Sequence, residues 1–130
     1  QTYESSVRYV HAARASGLKL AVVSSSKNTT EVLRAARLDG EFDAQVDGNL
    51  AELEHLRGKP APDTYLAAAR TLQAPPEDCA VYEDALAGVE AGRAGHFGLV
   101  VGIDRAGQAD ALRAHGADIV VQDLAQLMKA

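Results

Sequence analysis

The feature that most constrains this chain is a rhythm. A short apolar run rich in β-branched residues is followed by a turn and then by an Ala-rich stretch with helical spacing, and the pattern recurs along the sequence. Parallel strands cannot be joined by a tight hairpin, so alternation of this kind places helices across the faces of a parallel sheet. Tyr3, Val7, Val10 and Ala13 recur at helical spacing, with Gly17 as a stop. Leu18 to Ser24 reads as a buried strand. Asn28 to Leu38 follows as a helix, with Asn28 at the N-cap and Glu31 completing a capping-box pattern. Phe42 to Asp47 is a weaker strand, and Gly48 to Gly58 reads as a loop or short helical excursion.

Pro60 and Pro62 can open the next helix, on which Tyr65, Leu66, Ala69 and Leu72 form an apolar stripe. Cys79 to Tyr82 reads as a strand, and Ala85 to Gly95 as a helix whose Gly88 and Gly92 imply close packing on the sheet. Phe97 to Ile103, Arg105 to His115 and Asp118 to Val121 continue as strand, helix and strand; Asp123 and Gln126 form a last capping pair before a C-terminal helix. The predicted fold class is α/β, a Rossmann-like parallel sheet flanked by helices. No low-complexity linker divides the 130 residues, which are read as one domain.

Composition narrows the partners. Lys and Arg number 13 and Asp and Glu 18, a net charge of -5, which argues against a nucleic-acid partner because such binding draws on clustered basic residues. A local pocket can still be positive, so small phosphorylated ligands stay open. The lone Cys79 forms no internal disulfide, and no Cys/His spacing of zinc type is present. No apolar run approaches the roughly 18 residues of a membrane helix, and the polar start lacks a signal-peptide pattern. The expected location is a reducing cytoplasm.

Ligands of open parallel sheets sit beyond the carboxyl ends of the strands. Ser24, Ser25, Ser26, Lys27 and Asn28 join a strand end to a helix start, where hydroxyls, free N–H groups and one ammonium suit an anion. An ordinary polar turn is the plain alternative. Lys59, held between Gly58 and Pro60, is a rigidly placed cation and a candidate phosphate anchor, in a setting that is not a Walker loop. Glu83 and Asp84 are adjacent carboxylates at a strand end, hard oxygen donors that suit Mg2+; a capping role for Asp84 is the simpler reading. Asp47 and Asp104 also follow strands, and Asp104 reads as a cap. His11, His55, His96 and His115 share no motif and read as surface or packing residues, and Cys79 as a small buried one.

Taken in order, the strand ending at Ser24, Lys59 with its prolines, and the strand ending at Glu83 and Asp84 resemble the haloacid dehalogenase superfamily of phosphotransfer enzymes. Ser24 to Asn28, Gly58 to Asp63 and Val81 to Gly92 look closest to its β-phosphoglucomutase-like branch, which includes sugar-phosphate phosphatases. The resemblance implies a Mg2+-dependent reaction on a phosphorylated small molecule, a sugar phosphate. It implies that Ser24 hydrogen-bonds the transferring phosphoryl group, that Lys59 neutralises charge, and that Glu83 and Asp84 hold the metal. Ser25 joins the phosphate-binding loop, in which Ser26, Lys27 and Asn28 match residues that grip a second phosphate.

The chain departs from the family in one respect. No Asp-x-Asp occurs in it, whereas the family's first strand ends in an aspartate nucleophile followed two residues later by an acid/base aspartate. The expectation is a C-terminal portion of a longer enzyme, or a truncated homologue, lacking the first strand and the cap, with negligible turnover by itself. The lacking strand would lie between those ending at Ser24 and Glu83, so the sheet should show either a new direct pairing or open edges, which invite self-association or pairing with an N-terminal portion. A catalytically degenerate module that binds phosphate, metal or a protein partner is the alternative function. A response-regulator or flavodoxin-like fold matches the rhythm alone.

Overall fold

The computed structural model describes residues 4–128. Among the described residues six helices and five strands follow in the order α1 (Glu4–Ala15), β1 (Ala21–Val23), α2 (Thr29–Ala35), β2 (Ala44–Val46), α3 (Gly48–Leu53), α4 (Asp63–Leu72), β3 (Ala80–Glu83), α5 (Leu86–Ala94), β4 (Leu99–Ile103), α6 (Ala109–His115) and β5 (Ile119–Val121). Single 3-10 turns at Pro76–Asp78 and Leu124–Leu127 precede β3 and follow β5. Every strand pairing is parallel, as the rhythm requires. No helix among the described residues is long and apolar enough to cross a membrane.

Among the described residues the strands form two sheets. β1 pairs with β2 in one, β3 pairs with β4 and β4 with β5 in the other, and β1 and β3 do not pair with each other. Of the two outcomes expected for a lacking middle strand, open edges is the one observed. Between the sheets lies a cavity of about 630 Å³, lined among others by Ala21 and Val23 on one side, Ala80 and Tyr82 on the other. Alternate residues of a strand face opposite sides. Tyr82 meets Tyr9 of α1, their hydroxyls 2.7 Å apart. Its neighbour Val81 packs with Tyr65 of α4 and Ala91 of α5, so the slot has a helix on each face.

The two units are joined by α4, whose Ala67 and Ala68 pack with Val46 while Tyr65 packs with Val81. Small residues permit this close approach. Of the stripe expected on α4, Tyr65 and Ala69 are buried while Leu66 and Leu72 are half-buried; the buried face runs instead through Thr64, Tyr65, Ala67, Ala68 and Ala69. The larger core lies between β4, α5 and α6, where Val89, Val100 and Leu112 are all but fully enclosed. Gly92 lies against it: a Cβ there would stand 3.1 Å from Val100. Gly88 confirms the predicted close packing differently, against Glu83 and not the core.

Three local expectations change. The first strand is shorter than Leu18 to Ser24 and only half-buried, because its slot-side edge has no neighbour; Leu18 is 61% exposed. Asn28 occupies the N-cap of α2 but makes no side-chain cap bond, so the capping box with Glu31 does not form. The start is held instead by Thr29, whose hydroxyl donates to the Ser26 carbonyl. The Asp123 and Gln126 capping box does form, on a single 3-10 turn and not a longer helix. Gly17 ends α1 at a φ of +85°, a conformation glycine adopts without strain. Tyr3 lies outside the described residues.

Leu112→Ala is expected to destabilise the fold by about 2–5 kcal/mol through a cavity in the enclosed core, whereas Leu18→Ala should stay within about 0.5 kcal/mol. Urea unfolding of both variants checks the contrast.

Candidate active site

The site begins where β3 ends. Glu83 is its last residue, and parallel pairing to Gly102 of β4 fixes its direction. Its side chain is only 13% exposed, so the carboxylate needs partners. Four donors supply them. Oε2 accepts from Lys59 Nζ at 2.8 Å and from the Tyr65 hydroxyl at 2.6 Å, and Oε1 accepts from the backbone N–H groups of Asp84 at 3.2 Å and Ala85 at 3.3 Å. Gly88 makes room: a Cβ there would lie 2.1 Å from the carboxyl carbon. Burial pushes the Glu83 carboxyl up, but the bonds from Lys59 and Tyr65 and the charge of Lys59 outweigh it and leave it below its ordinary value of 4.5.

Lys59 reaches this position from a tightly tied loop. Asp63, the first residue of α4, accepts from Arg57 in three bonds, through its backbone N–H and Nε at 3.0 Å each and Nη2 at 2.8 Å. Ala61 N–H donates to the Gly58 carbonyl within the ring so closed. The ammonium also lies 5.0 Å from the centre of the Tyr65 ring, an added attraction for a cation. Tyr65 therefore holds both members of the pair, and burial followed by the charge and hydrogen bond of Glu83 raises its own pKa far above the ordinary phenol value.

Asp84 is the more open carboxylate, 55% exposed, with Arg105 Nε 3.6 Å away. Burial, then the hydrogen bond and charge of Glu83, raise its pKa. The turn after β4 braces it. Asp104 does not cap α6, which starts at Ala109 and not at the expected Arg105, with Gln108 at its N-cap; its Oδ1 accepts instead from the N–H groups of Ala106 and Gln108 in the preceding turn, and Gln108 Nε2 donates to the Asp84 carbonyl at 3.0 Å.

The serine loop follows β1. Ser24 N–H continues the sheet by donating to the Val46 carbonyl. Ser24 Oγ accepts from the Ser26 N–H at 3.1 Å, and Ser26 Oγ from the Asn28 N–H at 3.0 Å. Ser25 is exposed. Lys27 forms an ion pair with Glu52 of α3. Asp47, flagged only as a strand-end residue, caps α3 by accepting from the Leu50 N–H.

Lys59, Glu83 and Asp84 thus come together. The loop that carries Ser24, Ser25, Ser26, Lys27 and Asn28 extends from Val23, which lines the same slot as Glu83. Tyr65, read from sequence only as core, is the residue that reasoning missed; its place on the apolar stripe hid its hydroxyl. Arg57, Gln108 and Glu52 carry no signal in sequence, since each acts through a partner far along the chain or across a loop. His11 and His115 pair with Glu41 and Glu90 at the surface. Cys79 is half-buried, and burial pushes its thiol up, away from thiolate chemistry.

The family model for haloacid dehalogenase-like hydrolases matches residues 1–96. The chain belongs to that family. A beta-phosphoglucomutase of Mycobacterium tuberculosis is 53% identical over 131 residues, covering 98% of this chain and 50% of the relative. A trehalose-phosphate phosphatase of Mycobacterium leprae is 40% identical, covering 96% of this chain and 28% of the relative. Among solved structures, a haloacid dehalogenase family hydrolase from Deinococcus radiodurans with bound phosphate and sodium has a TM-score of 0.83 at 32% identity, covering 96% of this chain and 56% of that one. A beta-phosphoglucomutase structure from Thermotoga maritima has a TM-score of 0.82 at 27% identity, covering 92% of this chain and 55% of that one. The chain spans about half the length of the beta-phosphoglucomutases it matches in sequence. These likenesses place it on the β-phosphoglucomutase-like branch of the haloacid dehalogenase family, with that family's Rossmann-like fold.

Lys59→Met should leave the Glu83 carboxylate without its cation and cost about 1–3 kcal/mol at neutral pH, as for a buried group deprived of its partner. Because the folded Glu83 pKa is depressed, its stabilising contribution is present above pH 4.5 and is lost as pH falls through the lower folded value. That acid-sensitive part of stability should shrink in Lys59→Met, and carbon-detected titration of the Glu83 carboxyl should show its pKa rise. Tyr65→Phe, which keeps the ring under Lys59, should raise it less.

Proposed function

We propose that this chain carries the phosphate- and metal-handling part of a Mg2+-dependent phosphotransfer enzyme, a phosphatase or phosphomutase acting on a sugar phosphate. The observation that carries this reading is Lys59 locked onto Glu83 beside the open carboxylate of Asp84, at the strand-end rim of a slot between two parallel sheets. The names of the beta-phosphoglucomutase and trehalose-phosphate phosphatase relatives support the substrate class.

The donor chemistry fits magnesium, which takes one or two protein carboxylates and keeps several waters. Among the described residues no group of three or more His, Cys, Asp or Glu side chains gathers to hold a metal; the two carboxylates at this strand end are Asp84 and Glu83. Asp84 has the exposed oxygens, and Glu83 supports it from within its own set of bonds. When bound, the ion supplies positive charge that polarises a phosphoryl oxygen. Lys59 adds a fixed positive charge at the same rim, Ser24 offers a hydroxyl for a phosphoryl oxygen, and Ser25, Ser26, Lys27 and Asn28 form the loop for a second phosphate.

The slot takes the strand that the chain's own sheet lacks. Its two walls are open parallel edges, so one parallel strand completes the ladder on both sides. In the reading supported by the family, that strand ends in an aspartate whose carboxylate oxygen bonds to phosphorus as the phosphorus–oxygen ester bond breaks, the departing oxygen taking a proton from the second aspartate; the oxygen of water or of a sugar hydroxyl then bonds to phosphorus, giving its proton back to the second aspartate as the bond from phosphorus to the first aspartate breaks. Such a strand comes from an N-terminal portion preceding this chain. A single unpaired cysteine suits a cytoplasmic setting.

The test compares this chain with a protein extended upstream by its natural reading frame, assayed with p-nitrophenyl phosphate and phosphorylated sugars. The bare chain is expected to show no turnover. The extended protein should release or transfer phosphate only with Mg2+, stop when EDTA is added, and lose about 10²–10³ in kcat on Lys59→Met, the scale for removing one fixed electrostatic stabiliser. Turnover by the bare chain, lost on Asp84→Ala, would refute the need for the added strand. An extended protein that binds phosphate yet turns nothing over would identify the degenerate binding module instead.

A further inference from the structure

The serine loop is clasped by α3, and the clasp ends on the one ammonium the loop contains. Gly48 N–H donates to the Ser26 carbonyl at 2.9 Å, and Asn49 Nδ2 donates to the Lys27 carbonyl at 3.2 Å. A Cβ on Gly48 would stand 2.5 Å from the Ser25 carbonyl oxygen, so the first turn of α3 sits against the loop backbone without space to spare. Further along α3, Glu52 turns its carboxylate onto Lys27 Nζ. Lys27 thus has its backbone pinned by one α3 residue and its charge neutralised by another.

The two contacts differ in kind. The backbone contacts fix where the loop lies, whereas the ion pair joins side chains that are 59% and 70% exposed. Exposed pairs contribute little to stability and open readily. An anion reaching this loop meets an ammonium already matched by a carboxylate, and must replace that carboxylate to make a direct bond.

We infer that Glu52 is an internal competitor for the anion site of Lys27, an exchangeable latch that lowers the apparent affinity of the serine loop for a phosphate group. This rests on the reading of the loop as phosphate-binding. The apparent dissociation constant equals the intrinsic one divided by the fraction of molecules in which Lys27 is unlatched, so removing the carboxylate raises affinity without adding any contact to the ligand. Glu52 touches no ligand in this account; it acts through Lys27.

Inorganic phosphate at pH 8 is the probe, titrated into the isotopically labelled chain while the amide signals of Ser25, Lys27 and Asn28 are followed. Glu52→Gln is expected to tighten phosphate about two- to fivefold, the range of an exposed ion pair. Glu54→Gln, which removes the same charge from the end of α3 without touching Lys27, should leave affinity near that of the parent chain. In a Lys27→Met background, Glu52→Gln should lose its effect, which separates a latch from a general gain in positive potential. Equal responses to Glu52→Gln and Glu54→Gln, or an undiminished Glu52→Gln effect without Lys27, would overturn the latch while leaving the loop an anion site. No phosphate-dependent shift in any of these proteins, Glu52→Gln included, would overturn both the loop reading and the latch.

Discussion

Glu83 is a carboxylate drawn largely out of water at the end of an all-parallel strand, and two of its four hydrogen bonds come from side chains far from it along the sequence. Lys59 arrives from the loop before α4, Tyr65 from α4 itself, and two N–H groups from the start of the next crossover. The ammonium and the phenol belong to the side of the molecule that carries β1 and β2, the carboxylate to the side that carries β3, β4 and β5. The same set of bonds therefore offsets the desolvation of Glu83 and holds the two halves in register across a slot. A buried acid kept ionised by a neighbouring cation is costly to disturb from either partner, which makes this rim the rigid part of the site.

The slot is the complementary constraint. A parallel strand in the middle of a sheet normally has a neighbour on both sides; here β1 and β3 each have one. The helices on the two faces nevertheless keep their places, α1 through the Tyr9 and Tyr82 hydroxyls and α4 through the alanines against Val46 and Tyr65 against Val81. Face packing and edge pairing are separable forces, since side chains alternate across the faces while the ladder runs within the sheet plane. The two sheets thus stand apart at their edges while the helices on either face bridge them.

Much of this was readable in the residues themselves. The β-branched runs ending at Ser24, Glu83 and Asp104 located the rim because strands with helical crossovers must end on one side, and Lys59 between its glycine and proline announced a fixed cation. Gly88 was legible as a close approach, although only folding revealed that Glu83 is what approaches. Tyr65 was misassigned to packing alone, because an aromatic residue on an apolar stripe gives no sign that its hydroxyl is committed. Asn28 misled in the opposite direction: it stands where a cap belongs, yet the turn is held by the Thr29 hydroxyl on the Ser26 carbonyl and by Ser26 Oγ accepting from the Asn28 N–H.

The amino-acid order by itself determined the class of fold, the direction of the strands and the list of polar groups at their ends, because hydrophobic periodicity and turn chemistry are local and act within a few residues. Tertiary structure decided between a new pairing of β1 with β3 and open edges, and it alone decided that Lys59 is matched by Glu83 while Asp84 faces outward, and that Lys27 is held by Glu52. Those outcomes depend on separations of 24 residues for the first ion pair and 25 for the second. Pairing of charges across such distances along the chain is set by where packed helices carry them, and no local pattern records that.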